Sequence, residues 1–337
     1  MDTVNLKTLA KELNLSMSTV SRALRDSHEI SAETKQKVLA LAKELNYEPN
    51  PYASSLRRQA SKTIAVVIPE VANNFFSLAI NGIEEIAQLK GYHVLIYLTH
   101  DCYVKERAIA RHLASGRVDG ILMSVSSGSN DFSHLAELKN KDIPMVFFDR
   151  VCEEMATAKV TTDDYKAGYK ATLHLIEKGC KRIAYLMIAQ NLSIGQKRME
   201  GYRDALQENG FPFDESLVIN CSIDRDQNYE LIKNSLNSEN PPDGLFASVE
   251  HLALSSYYAC KHSGLKIPED VKIISFSNLE TAPLLNPSLT TITQPAYNIG
   301  KEAAAILCKN LSRKNYNIED NEDIELKSEL IERESTQ

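Results

Sequence analysis

The chain has 337 residues, 43% of them hydrophobic and 25% charged, the balance of a globular protein with a large core, which excludes disorder and collagen-like structure. Its formal charge of −7 argues against a nucleic-acid partner only until it is divided: residues 1–60 hold nine Lys and Arg against seven Asp and Glu, a net +2, and the rest carries −9. At roughly 150 residues per domain, the length predicts two to three domains.

Leu6, Leu9, Ala10 and Leu13 fall at i, i+3, i+4 and i+7, the apolar stripe of a short helix. Asn14 then suits a left-handed stop. Ser16 is a good N-cap for a second helix to about Leu24, with Met17, Val20 and Leu24 on one side and Ser18, Ser21, Arg22 and Arg25 on the other. Ser31 can cap a third helix through Val38, Leu41, Ala42 and Leu45, with Glu33 in its first turn. Two short helices, a tight turn and a closing third helix make a helix-turn-helix, whose second helix enters the major groove. A three-helix module that binds protein fits the same spacing.

In NPYASSLRRQASK (50–62), Pro51 suits the first position of a two-turn helix from Ala53 to Arg58. Such a helix is too short to stand alone in water. Leu56 beside Arg57 and Arg58 has the chemistry of a minor-groove wedge, an apolar side chain that unstacks a base step while cations hold phosphates. The alternative is a basic linker.

From Lys62 onward β-rich runs alternate with helical ones: TIAVVI, FFSLAINGIEEIAQLKG, VLIYL, DGILMSV and PMVFFD, then a restart after Thr161 with RIAYLM, GLFAS and VKIISF. This predicts an α/β body of two doubly wound parallel-sheet subdomains, with a ligand site beyond the carboxyl ends of the strands. Those ends run Pro69–Phe76, Thr99–Asp101, Ser124–Ser129, Asp149–Arg150, Ile188–Arg198, Val249–Glu250 and Ser277–Asn278. Hydroxyls, amides, a few charges and paired aromatics suit a small polar ligand such as a sugar. Asn73, Phe75, Phe76, Arg150, Ser193, Arg198, Glu250 and Ser277 are the candidate contacts.

Catalytic patterns are missing: no GxSxG, HExxH, GxxxxGK[ST] or strand-borne GxGxxG occurs. Asp163 and Asp164 read as the cap and first-turn acid of a helix. Cys102, Cys152, Cys180, Cys221, Cys260 and Cys308 form no CxxC pair and read as reduced thiols. No enzyme activity, metal or cofactor is expected. The opening MDTVNLKTLAKEL has no apolar signal core, and no run of about 18 apolar residues follows, so a cytoplasmic protein without membrane contact is expected.

The run LKTLAKELNLSMSTVSRALRD, with ISAETKQKVLALAKELNYEPNPYASSLRR after it, resembles the DNA-binding headpiece and hinge of the lactose-repressor and galactose-repressor (LacI/GalR) family of transcription factors. The resemblance lies in SxSTVSR, the S-x-x-T start of the third helix and Tyr-x-Pro-Asn before the hinge. It continues through PEVANNFFSLAINGIEEIAQLKGY, IPMVFFDR, RMEGYRDAL, IPEDVKIISFSN and PSLTTITQPAYNIGKEAA to KSELIERESTQ. It implies that Met17, Ser18 and Arg22 read bases and that Leu56 is the wedge. Met17 remains open to a core role. The full DNA-facing set is Ser16, Met17, Ser18, Thr19, Ser21 and Arg22, with Asn50, Tyr52, Ser55, Leu56 and Arg57 in the hinge. Phe75, Phe76, Arg150 and Arg198 match positions that commonly line the family's effector pocket.

The family further implies a homodimeric repressor on a palindromic operator, controlled by a small effector in a periplasmic-binding-protein-like body. A solute-binding protein without DNA function is the alternative. Expected limits are a headpiece at 1–48, a hinge at 49–61, a first subdomain at 62–161 plus about 290–322, and a second at 162–289 plus about 323–337. Departures are Asn14 in place of a turn glycine, Ser277 and Asn278 in place of a ligand-gripping Asp pair, Val249 and Glu250 in place of Asn-Asp, and Ile188, Ala189 and Gln190 in place of a glycine-rich turn.

Overall fold

A computed structural model describes residues 5–47, 61–128, 131–222, 224–312 and 322–337. They divide into two units, one up to Ser61 and one from Lys62 to Gln337. The expected hinge helix lies outside the described residues.

In the first unit, α1 (Leu6–Glu12), α2 (Met17–Ala23) and α3 (Ala32–Glu44) enclose a core of Leu9, Ala10, Val20, Ala23, Val38 and Ala42. Each start is fixed by a side chain that accepts orphan backbone N–H groups: Asn5 for α1, Ser16 for α2 and Ser31 for α3. Asn14 has φ 54, so it supplies the left-handed turn that a glycine would otherwise make. Burial corrects one placement. Ser21, expected on the exposed side of the second helix, is only 9% exposed and lies with Val20 and Ala23 toward the core. Its small side chain fits where a larger polar one would not.

The second unit begins with β1 (Thr63–Ile68), α4 (Asn74–Leu89), β2 (His93–Leu98), α5 (Tyr103–Leu113), β3 (Gly120–Met123), α6 (Ser133–Lys139), β4 (Met145–Phe148) and β5 (Ala158–Thr162). It continues through α7 (Asp164–Glu177), β6 (Ile183–Met187), α8 (Ser193–Glu208), β7 (Val218–Asn220), α9 (Arg225–Leu236), β8 (Gly244–Ala247), α10 (Glu250–Ser263) and β9 (Lys272–Phe276). Last come β10 (Thr290–Thr293), α11 (Ala296–Ser312), β11 (Asp323–Leu326) and β12 (Glu329–Ile331).

Two six-stranded sheets result, ordered β11-β5-β4-β3-β1-β2 and β12-β10-β9-β8-β6-β7. All pairings are parallel except β10 with β12. Central strands such as IAYLM are buried at every residue, as expected where helices cover both faces of a parallel sheet. The fold class is therefore the expected one, two doubly wound subdomains of the periplasmic-binding-protein type.

The crossings between subdomains fall later than expected. Strand β10, assigned from about 290 to the first subdomain, pairs with β9 through Ile292 and Phe276. Strand β11, assigned from about 323 to the second, pairs with β5 through Ile324 and Val160. The chain thus crosses after Thr162, after Thr293 and after Leu326. TTIT is a β-branched strand, and its hydrogen-bonding partners are too distant in sequence for local pattern to place it.

Candidate functional site

On α2, Ser16, Met17, Ser18 and Arg22 are exposed and Thr19 is half-buried. Met17 is 53% exposed, which removes the core reading. The Ser16 hydroxyl accepts from Thr19 N at 3.1 Å, so its first task is capping. The buried Ser21 is not part of this face. Asn50, Tyr52, Ser55, Leu56 and Arg57 lie outside the described residues.

In the body, the carboxyl ends of both sheets converge on a cavity of about 50 Å³. Asn73, Phe75 and Phe76 reach it from the start of α4 and Arg150 from the end of β4. Arg198 comes from α8, Glu250 from the start of α10 and Ser277 from the end of β9. Seven of the eight expected contacts therefore meet there. Ser193 does not, since its neighbours Ile194 and Gly195 form the wall instead. Asp149, Ser248, Phe276 and Gln294 also line the cavity. Asp149 and Gln294 are detectable as the residues that end β4 and β10, the latter once β10 is known to be a strand.

Arg198 is the best-held group. Its Nε donates to Asp164 Oδ1 at 2.8 Å and its Nη1 to the Ser248 carbonyl at 2.8 Å. The guanidinium lies 3.6 Å from the centre of the Phe276 ring, a cation–π contact in a desolvated place. Its Nη2 is buried without a partner among the described residues. Close helix packing sets its position. A Cβ on Gly168 of α7 would sit 2.5 Å from the Arg198 carbonyl oxygen, and one on Gly201 of α8 would sit 2.2 Å from the Tyr165 carbonyl oxygen. Only glycines let these helices approach so nearly, which explains the Arg-x-x-Gly spacing.

The aspartates at the head of α7 take the expected positions, Asp163 as the N-cap residue and Asp164 in the first turn, but their side chains do more than end a helix. Asp163 makes no side-chain cap bond and instead accepts from Ser328 N at 2.7 Å, tying the first crossing to the third. Asp164 is 3% exposed. It accepts from Arg198 and from Thr162 Oγ1 at 3.2 Å, while Gln294 Nε2 donates to Thr162 Oγ1 at 3.0 Å. A continuous chain of hydrogen bonds thus joins the cavity arginine to two crossings. Burial raises Asp164 from its ordinary range, and Arg198 counteracts that rise.

Asp149 has less support. Burial pushes its carboxyl up to about 6, against the opposing pull of Arg150 and Arg198. Its nearest partner is the Ser124 hydroxyl at 3.5 Å. Arg150 is turned toward Asp101, with Nη1 donating at 2.9 Å. Glu250, raised chiefly by burial, accepts from Asn74 N at 3.1 Å and from Ser277 Oγ at 3.3 Å, so it spans the cleft between subdomains. Leu192 and Ile194 of the second subdomain are buried in the same apolar cluster as Val125, Val151 and Cys152 of the first.

A helix-turn-helix unit and a body of two periplasmic-binding-type subdomains with a cleft between them together define the class of DNA-binding transcriptional regulators. Residues 5–50 match the family described as "Bacterial regulatory proteins, lacI family". Residues 61–334 match "Periplasmic binding proteins and sugar binding domain of LacI family". The chain belongs to the LacI family of transcriptional regulators and is not an enzyme. It is 31% identical to the HTH-type transcriptional regulator RegA of Clostridium saccharobutylicum, over 98% of this chain and 99% of that one.

Among solved structures it resembles the complex of transcriptional regulator CelR with cellobiose, with a TM-score of 0.74 and 26% identity over 98% of this chain and 99% of the other. It also resembles a LacI family transcriptional regulator from Enterococcus faecium with bound ribose, with a TM-score of 0.71 and 27% identity over 81% of this chain and 98% of the other. The match over residues 5–50 decides against a solute-binding protein without DNA function. Among the described residues no helix is long and apolar enough to cross a membrane.

Proposed function

We propose that this regulator is a repressor that binds a palindromic operator as a homodimer, and that a small polyhydroxylated ligand between the subdomains sets its affinity for that DNA. The observation that carries the ligand reading is the presence in one cavity of Arg198 Nη2, a buried donor without a partner among the described residues, and Asp149, a buried acid whose hydrogen bond from Ser124 is long at 3.5 Å. Vicinal hydroxyls can accept from the first and donate to the second, while an apolar sugar face lies against Phe75 or Phe76. The cellobiose and ribose in the two related structures support the same class of ligand.

The cavity of about 50 Å³ holds a few waters, each needing about 10–15 Å³. A sugar enters only if the subdomains part, and that movement is the two-state element that ligand and DNA both bias. The hinge expected at 49–61, most of it outside the described residues, carries the change to the operator, with Leu56 as the wedge in the minor groove. Two half-sites require two readers. Leu95 and Ile96 on the edge strand β2, each 45% exposed, and Tyr258 on α10, 61% exposed, supply apolar surface for a second copy. This reading calls for a cytoplasmic location and no cofactor.

The test is a thermal-shift screen of pentoses, hexoses and disaccharides on the full chain, followed by operator binding with each hit. A hit is expected to change operator affinity by about 5-fold or more. Hits that bind and leave operator affinity unchanged overturn the control reading.

A further inference from the structure

One contact on the DNA-reading face has no structural purpose. Arg22, in the last turn of α2, donates from Nη1 to Glu29 Oε2 at 2.6 Å, with the two side chains 58% and 51% exposed. The turn carrying Glu29 is firmly built. Asp26 takes the left-handed conformation at φ 55, and Ser27 N donates to the Arg22 carbonyl at 3.1 Å. Lys35 Nζ grips both the carbonyl and the carboxylate of Asp26. Ile30 packs against the three-helix core. Glu29 is therefore held at the edge of the recognition helix by backbone that does not depend on its own side chain.

Charge makes the position notable. Asp26 and Glu33 are matched by Lys35 and Lys37, both on α3, and Glu29 is the acid whose ion-pair partner lies on α2. An exposed ion pair contributes little to folding stability. A carboxylate beside the recognition helix also repels the phosphates that supply generic DNA affinity. Glu29 thus has a cost in binding and almost no return in stability, unless it recognises something. In the major groove a carboxylate accepts from the cytosine N4 amine, and an arginine reads guanine O6 and N7.

We propose that Glu29 is a specificity-determining residue. It holds the Arg22 guanidinium before DNA arrives, then accepts from a cytosine amine next to the guanine that Arg22 reads, and its charge penalises every duplex that lacks that amine. This rests on α2 being the recognition helix. The class of partner is a G·C-containing half-site.

The experiment is selection of binding sites from randomised duplex DNA by the full chain, compared for the native protein, Glu29→Gln, Arg22→Ala and the double variant, with salt titrations on an unrelated duplex. Glu29→Gln should lose about tenfold discrimination at one base pair beside the Arg22 position. Removing a phosphate-repelling charge should tighten binding to the unrelated duplex and steepen the salt dependence by up to about 0.9 in log–log slope. The double variant should bind unrelated DNA more tightly than Arg22→Ala, in which Glu29 has lost its cation. Unfolding midpoints should match the native one, as an exposed pair requires. An unchanged selection by Glu29→Gln beside a changed one by Arg22→Ala overturns the role of Glu29 and leaves the recognition helix standing. No change from either variant overturns the reading of α2, and the proposal with it.

Discussion

Replacing Asp149 by Asn removes a carboxylate that burial holds up at about 6, against an ordinary value of 3.8. At about 1.36 kcal/mol per pH unit, that rise corresponds to about 3 kcal/mol between the two protonation states. The folded pKa lies above the unfolded one, so native stability is greatest while the group is protonated in both states and declines as pH rises through the folded pKa. By linkage, the penalty on the native protein grows from about 1 kcal/mol at about pH 4.5 to about 3 kcal/mol at about pH 8.

Urea denaturation of native protein and Asp149→Asn at these two pH values measures it. The variant should be the more stable at the higher pH, by up to about 3 kcal/mol, with a margin that shrinks as pH falls. A margin between native and variant that is independent of pH refutes the electrostatics assigned to the cleft. A corollary concerns ligand. Hydroxyls that donate to the ionised carboxylate lower its pKa, so sugar binding to the native protein should tighten as pH rises through about 6 and lose that dependence in the variant.

Gly201→Ala should separate α7 from α8, because its Cβ would lie 2.2 Å from the Tyr165 carbonyl oxygen. A loss of about 1–3 kcal/mol, together with weakened ligand binding through Arg198, should appear in thermal melts with and without sugar. Arg198→Ala strands the buried Asp164 without its cation, a defect worth about 3–5 kcal/mol, and Arg198→Ala/Asp164→Ala should recover part of it in the same melts. Leu56→Ala should weaken operator binding much more than binding to unrelated duplex in gel shifts, since phosphate contacts survive the loss of a wedge. Equal loss on both DNAs would show that Leu56 only packs.

What the sequence made legible was mostly local. Ser16 and Ser31 cap the helices they precede, Asn14 supplies the left-handed turn, and the alternation of strands and helices gives two sheets, because each rests on a few residues around one point in the chain. Arg198 is legible from the family resemblance, and the structure shows that its place depends on Gly168 and Gly201, which let α7 and α8 approach closely. The misses depend on partners far away in sequence. Asp163 and Asp164 stand at the cap and first turn as their sequence suggests, but their side-chain partners, Ser328 and Arg198, lie far away in the chain. TTIT was not placed as a strand of the second sheet without its distant neighbour β9, so Gln294 at its end was overlooked. Ser21 was put on the wrong side by a pattern whose flanks are only one residue wide. Asp149 ends β4 beside Arg150 and both line the cavity, but its burial with a single long hydrogen bond from Ser124 depends on β3, which the local pattern does not show.

The central claim is that ligand in the cleft and DNA at the headpiece bind through one linked equilibrium. Operator affinity of the full chain, measured by fluorescence anisotropy across a titration of whichever sugar stabilises the protein, tests it most directly. The expected result is a shift of about 5-fold or more that saturates at the same sugar concentration as the thermal stabilisation, and the reciprocal shift of sugar affinity when operator is present. A sugar that saturates the body while the operator isotherm stays fixed would contradict the claim.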